Sequence, residues 1–223
     1  MQPLAFLAIF VIVFGNIAGV SGGGVPYAAF ALSALVPWQF VSNGVAQGAD
    51  ALIQDAGLLR KIYFPREVPV LGAIASYLPD LGIGIGLFLL AAPITGANLD
   101  WELLYLPLLI VAIILPIIAV TVPIAALALY YRDFKYALPV LIQLWLFASP
   151  VAYPLTEVPA SVRWIYAVVN PVVGPLDAFR NVLALGTSPD WLYLGLSTLS
   201  SLLLLVAGFH MFKRLEPEFA DVV

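Results

Sequence analysis

The chain has 223 residues, of which 63% are hydrophobic and only 10% are Asp, Glu, Lys or Arg, with a formal net charge of −4. A water-soluble domain carries roughly 25% charged residues, so the composition excludes an ordinary soluble fold and points to an all-α polytopic membrane protein. There are no cysteines and one histidine, His210, which excludes disulfides and argues against a metal cluster; no basic patch is large enough for nucleic acid.

Six transmembrane helices are predicted, with a re-entrant or interfacial helical segment between the fifth and sixth. The first covers residues 2–18. It has neither a basic flank nor a small-x-small site, so it reads as a membrane helix and not as a removable signal peptide. GVSGGGVP (Gly19–Pro26) is a turn, because three adjacent glycines disfavour a continued helix. The second span, residues 27–49, contains Pro37, which removes an intrahelical bond and kinks or breaks the helix. Residues 50–66 (DALIQDAGLLRKIYFPR) form a charged loop with a short helix. The third span, 68–92, carries Asp80 and the run LGIGIG (Leu81–Gly86), whose small residues allow close helix contact. The fourth, 102–130, is long enough to tilt or break at one of its prolines, and the fifth is 137–153. Residues 154–190 contain five prolines and are too polar for a simple span. Irregular backbone at membrane depth must be shielded by protein or water, so short re-entrant or interfacial helices fit there. The sixth span is 191–210.

Orientation follows from the Lys and Arg distribution. With the N-terminus inside, Arg60, Lys61, Arg66, Arg132, Lys135, Lys213 and Arg214 fall on the inner side, and only Arg163 and Arg180 on the outer side. This bias predicts that both termini are cytoplasmic and that Trp101, Trp164 and Trp191 lie near the outer boundary. Lys213–Arg214 reads as a simple membrane stop. His210, beside it, reads as an interface residue.

The segment LLRKIYFPRE (Leu58–Glu67) stands out among the charged stretches. Gln54, Asp55, Arg60 and Lys61 can be presented to a cytosolic partner while Leu58, Leu59, Ile62 and Phe64 face the membrane or the bundle. A stop-transfer cluster that only anchors two helices accounts for the same charges equally well.

Four stretches resemble one known family: QPLAFLAIFVIVFG at Gln2–Gly15, LVPWQFVSNGV at Leu35–Val45, the KIYFPRE core of Leu58–Glu67, and Ala178-Phe179-Arg180. With the short Tyr130–Phe134 loop and the order of elements, they are similar to the polysaccharide-exporter branch of ABC-2 type transporter permeases, over essentially the whole chain. The resemblance implies a single transmembrane domain over 1–223 and a homodimer working with a separate ABC ATPase subunit. The substrate it implies is a lipid-linked polysaccharide (O-antigen, capsule or teichoic acid) crossing the bacterial cytoplasmic membrane. It also implies that the 50–66 loop carries a coupling helix, about Ala51–Lys61, with Tyr63, Phe64, Pro65 and Arg66 leading into the next span. Arg132 and Asp133 would form a second contact with the ATPase. No GxxxxGK[ST] occurs in the chain, so ATP and Mg would belong to the partner and this chain would hold no cofactor. The chain departs from the family at its start, where a basic cytoplasmic segment and an interface helix usually precede the first span; Met1 falls where that span has begun.

Aromatic faces stack on sugar rings, and Trp38, Tyr77, Trp145 and Phe147 are the preferred conduit residues, lying in spans the family places around the subunit interface. Ordinary packing is the alternative for each. Asp177 and Arg180, three apart, share a helical face and form a candidate polar pair that closes or lines the exit. Asp80 reads as a structural polar contact, with proton coupling as its alternative. No hydrolytic constellation is present. Three other functions remain open at this level: an ABC-2 exporter of a small lipid or drug, a membrane-embedded enzyme of lipid-sugar metabolism, and a proton-coupled secondary carrier.

Overall fold

The computed structural model describes residues 12, 24–55, 57, 64–131 and 133–219. The first long element, α1 (Tyr27–Gln54), is the centre of the bundle. Pro37 lies inside it without ending it, and buried residues from Ala29 to Leu52 occur on most of its faces. It packs against α2 (Glu67–Ala75), α3 (Leu78–Thr95), α4 (Leu106–Tyr130), α5 (Phe134–Phe147) and α7 (Val173–Arg180). The short helix α6 (Ala160–Val169) and the long α8 (Trp191–Leu215) complete the described α-helices, with a π-helical stretch at Asn181–Leu185 after α7 and with α8 laid along α4 and against α6 and α7.

Small residues set close packing both inside and outside the conspicuous glycine run. An added Cβ at Gly48 would lie 2.5 Å from Thr121 Cγ2, and one at Gly44 would lie 3.1 Å from Ile117 Cγ2. Gly44 and Gly48 are four apart on α1, as Ile117 and Thr121 are on α4, so one row of each helix interdigitates with the other. Within Leu81–Gly86 only Gly84 meets a neighbour, Val36 Cγ1 at 2.9 Å, whereas Gly82 and Gly86 face open space.

The helix ends follow local chemistry. α2 and α3 are separated by Ser76 and Tyr77, and Pro79 occupies the first turn of α3, where a missing N–H costs no helical bond. α8 begins at Asp190, whose Oδ1 accepts from the backbone N–H groups of Leu192 and Tyr193 at 3.1 and 3.4 Å. A 3₁₀ turn at Trp101–Tyr105 leads into α4, and another at Glu216–Glu218 follows α8.

The described residues are helical and multi-pass, but the expected six-helix membrane topology is corrected. Among them, three helical stretches are long and apolar enough to cross a membrane: Glu67–Thr95, Trp101–Tyr130 and Trp191–Leu215. The expected first span, 2–18, lies outside the described residues apart from residue 12. α1 has the length for the expected second span, but Gln39, Ser42, Asn43, Gln47 and Asp50 dilute its apolar character. The expected fifth span stops at Phe147 after 14 residues, about 21 Å of helix against a hydrocarbon core of about 30 Å.

Candidate functional site

The described residues expected to carry function fall into two groups, one toward each end of the bundle. At the end bearing Arg66 and Lys213, Gln54 and Asp55 are exposed at the close of α1. Together with Gln47, Pro69, Ser76 and Tyr77 they line a cleft of about 420 Å³ between α1 and α2. Tyr77, expected in a conduit, thus shares a cleft with two expected coupling residues. Phe64 is half-buried against the core, Pro65 is exposed, and Asp133 is exposed just before α5. Leu58, Leu59, Arg60, Lys61, Tyr63 and Arg132 lie outside the described residues.

Arg66 and Lys213 belong to different basic clusters in the sequence, yet they share one network. Lys213 Nζ donates to Glu67 Oε2 at 2.9 Å and pairs with Glu216 Oε2 at 2.9 Å. Arg66 Nη1 donates to the main-chain oxygen of Glu216 at 2.7 Å. These groups border a cleft of about 430 Å³ with Pro65 and Pro217. Beyond the expected membrane stop, the end of α8 therefore also fastens the exit of the 50–66 loop.

At the opposite end, α5 gives way at Ala148 to an irregular segment, SPVAYP (Ser149–Pro154), with Ser149, Pro150, Val151 and Ala152 buried. Helical bonds are unavailable to the carbonyls of Pro150, Val151, Ala152 and Tyr153, and an apolar interior tolerates irregular backbone only where partners are supplied. Side chains supply them. Arg180 Nη2 donates to Pro150 O at 2.6 Å and to Val151 O at 2.8 Å, and Nη1 donates to Tyr153 O at 3.2 Å. Tyr27 Oη donates to Ala152 O at 2.8 Å. Ala148 O accepts from Tyr166 Oη at 2.9 Å and from Asn170 Nδ2 at 2.8 Å.

Arg180 is only 1% exposed, and its guanidinium carbon sits 3.9 Å from the centroid of the Phe30 ring. Burial pulls its pKa down to about 10, against the opposing pull of Asp177, so it remains charged at neutral pH. Asp177, expected to pair with Arg180 directly, accepts from Asn181 Nδ2 at 3.2 Å. Burial pushes its carboxyl pKa up, and the charge of Arg180 opposes the rise.

Two of the expected conduit residues meet beside this segment. Trp38 on α1 packs edge-on against Trp145 on α5, with centroids 5.6 Å apart. Trp145 Nε1 donates to Asn170 Oδ1 at 2.9 Å, and Asn170 Nδ2 also reaches Ser149 Oγ at 3.0 Å. Trp38 also borders a groove of about 240 Å³ between α1 and α5, lined by Gln39, Ser42, Asn43 and Gln143. Phe147 is 49% exposed at the end of α5. Asp80, in the first turn of α3, is exposed.

Nothing in the sequence singles out Tyr27, Tyr166 or Asn170 as donors to this segment. The available signal was the pair of prolines, Pro150 and Pro154, which announce backbone groups that need donors from elsewhere. Among the described residues, no group of three or more His, Cys, Asp or Glu is placed to hold a metal.

Residues 1–184 match a family model described as "ABC-2 type transporter". The chain is 25% identical over 224 residues to the "O-antigen export system permease protein RfbA" of Myxococcus xanthus, covering all of this chain and 85% of that protein. A protein of the same description from Klebsiella pneumoniae is 24% identical over 227 residues, with the same coverage.

Proposed function

We propose, from the premise that the chain belongs to the ABC-2 type transporter family, that it exports lipid-linked polysaccharide across the bacterial inner membrane. As a member of that family it is a transport subunit with no catalytic activity of its own. ATP and Mg are bound and hydrolysed by a separate nucleotide-binding subunit, which docks at the basic end of the bundle on the cytoplasmic side. The 50–66 loop is the coupling element, with Asp133 and its neighbour Arg132 as the second contact. Two copies of the chain enclose the conduit. Trp38, Tyr77, Trp145 and Phe147 contribute to its lining, and Asp177 and Arg180 close its outer end. Residues 154–190 form the outer, interfacial part of the single transmembrane domain.

The observation that carries this reading is the similarity, over the full length of the chain, to permeases named for O-antigen export. The groove beside Trp38 supports it. Amide and hydroxyl side chains next to an aromatic ring, with no charged residue among those lining the groove, suit neutral sugar hydroxyls, to which amides both donate and accept.

The test has two arms. The chain should co-purify with an ATPase subunit, and reversing Arg60 and Lys61 while replacing Leu58 and Leu59 by aspartate should abolish that association. Cells lacking the chain should accumulate lipid-linked polysaccharide on the cytoplasmic face. Undiminished ATPase binding by the altered loop would refute the coupling assignment, and normal polysaccharide export without the chain would refute the substrate.

A further inference from the structure

We infer that the C-terminal hook of α8, Lys213 to Phe219, is a positioning element that ties the exit of the 50–66 loop and the entrance to the 131–133 loop into one body. Movement imposed on the 50–66 loop then reaches α8 and α4 together. The inference rests on the coupling role proposed above for that loop.

The hook is built by a change of helical type. α8 ends at Leu215, and the 3₁₀ turn Glu216–Glu218, with Pro217 in its first turn, redirects the chain. Phe219 is thereby returned to the bundle, where it is 0% exposed. Its ring meets Phe212 edge-on at 5.3 Å and Tyr130 at 6.3 Å, and the Arg66 guanidinium lies 5.7 Å from its centroid. These partners come from three elements. Tyr130 is the last residue of α4, directly before the loop at 131–133, and its Oη donates to Leu215 O at 3.4 Å. Arg66 is the last residue before α2 and donates to Glu216 O. Lys213 joins Glu67, the first residue of α2, to Glu216. The exit of one loop and the entrance to the other therefore both meet Phe219 of the hook.

Stability alone is a poor explanation for the charged part. Partly exposed ion pairs contribute little to folding, and a lysine near a helix C-terminus is favourable wherever its partner lies. A membrane stop needs only a positive charge at position 213. A latch needs the charge on α8 to match the one on α2, which makes the two roles separable. Buried edge-on aromatic contacts add geometry that a rigid-body transmission requires.

The experiment uses the full chain with its ATPase subunit in proteoliposomes. It records partner binding, ATP hydrolysis, and polysaccharide moved per ATP. Phe219→Ala and Lys213→Glu should leave the partner bound and hydrolysis within twofold, while transport per ATP falls at least tenfold. Phe219→Tyr, and the exchange Glu67→Lys with Lys213→Glu, should restore it to within threefold. Unchanged transport per ATP in the single variants, or an exchange no better than Lys213→Glu alone, overturns the inference. Should Phe219→Ala fail to accumulate, the charge series decides by itself. Failure of the unaltered chain to bind any ATPase overturns the proposed function and this inference with it; retained binding with unaltered coupling overturns the inference alone.

Discussion

Replacing Arg180 by leucine removes every polar contact that the guanidinium makes while keeping a bulky apolar side chain. Three carbonyls, those of Pro150, Val151 and Tyr153, lose donors at 2.6, 2.8 and 3.2 Å, and Phe30 loses a cation 3.9 Å from its ring. An unmet buried hydrogen-bonding group costs about 1–3 kcal/mol, and a desolvated cation–π contact is worth about 2 kcal/mol. Against this, leucine spares the chain the burial of a charge, itself a matter of several kcal/mol. The net loss should be about 3–5 kcal/mol, the range found when a buried charged network is broken. At about 2–4 °C per kcal/mol for a chain of this length, the unfolding midpoint of the detergent-solubilised protein should fall by roughly 6–20 °C. Arg180→Lys should fall between the two, because an ammonium group keeps the charge but lacks the planar fork that spans several carbonyls. Tryptophan fluorescence during thermal unfolding is a sufficient assay. A leucine variant that melts within about 2 °C of the unaltered chain, less than a single kcal/mol, would show that Arg180 does not hold the segment.

The remaining predictions concern packing and caps. Gly48→Ala should destabilise by about 1–3 kcal/mol through overpacking, because its Cβ would lie 2.5 Å from Thr121 Cγ2; Gly86→Ala, facing open space, should be neutral or stabilising by up to ~1 kcal/mol. The two thermal midpoints compared side by side check this, and equal losses would refute it. Asn170→Ala orphans the Trp145 indole N–H and leaves Ser149 and Ala148 a donor short, so a loss of about 2–3 kcal/mol is expected. The near-ultraviolet circular dichroism of the Trp38–Trp145 pair should weaken with it. Asp190→Ala removes the α8 cap and should cost about 1 kcal/mol, read as earlier hydrogen exchange at Leu192 and Tyr193.

Helical class and the membrane setting were legible because they depend on composition and run length, which are local. The span count was not, and α1 and α5 show why. Hydropathy read residues 27–49 and 137–153 as spans, whereas α1 carries a row of amides and hydroxyls and α5 stops at Phe147. The backbone that follows α5 is partnered in part by Arg180, some 30 residues away from the carbonyls it satisfies. No window of periodicity contains both partners. The spacing of Asp177 and Arg180 correctly placed them on one helix, α7, but sequence carries no sign that an arginine will choose main-chain oxygens over a carboxylate. The glycines teach the same lesson: Leu81–Gly86 was visible because it is contiguous, while Gly44 and Gly48 acquire meaning only opposite Ile117 and Thr121. Likewise Arg66 and Lys213 were separate charge markers until the tail brought them to one network.

The irregular segment between α5 and α6 inverts the usual relation between a residue's conspicuousness and its replaceability. Tyr27, Tyr166, Asn170 and Arg180 address main-chain oxygens, and every amino acid offers the same oxygen. The buried side chains of Val151 and Ala152 are therefore constrained by volume far more than by chemistry. Its four distant donors are constrained by chemistry as well as by volume. Drift among related chains should accordingly rewrite Val151 and Ala152 with other small apolar residues while leaving the donors in place, so this irregular stretch of backbone would be recorded most faithfully in residues that lie outside it.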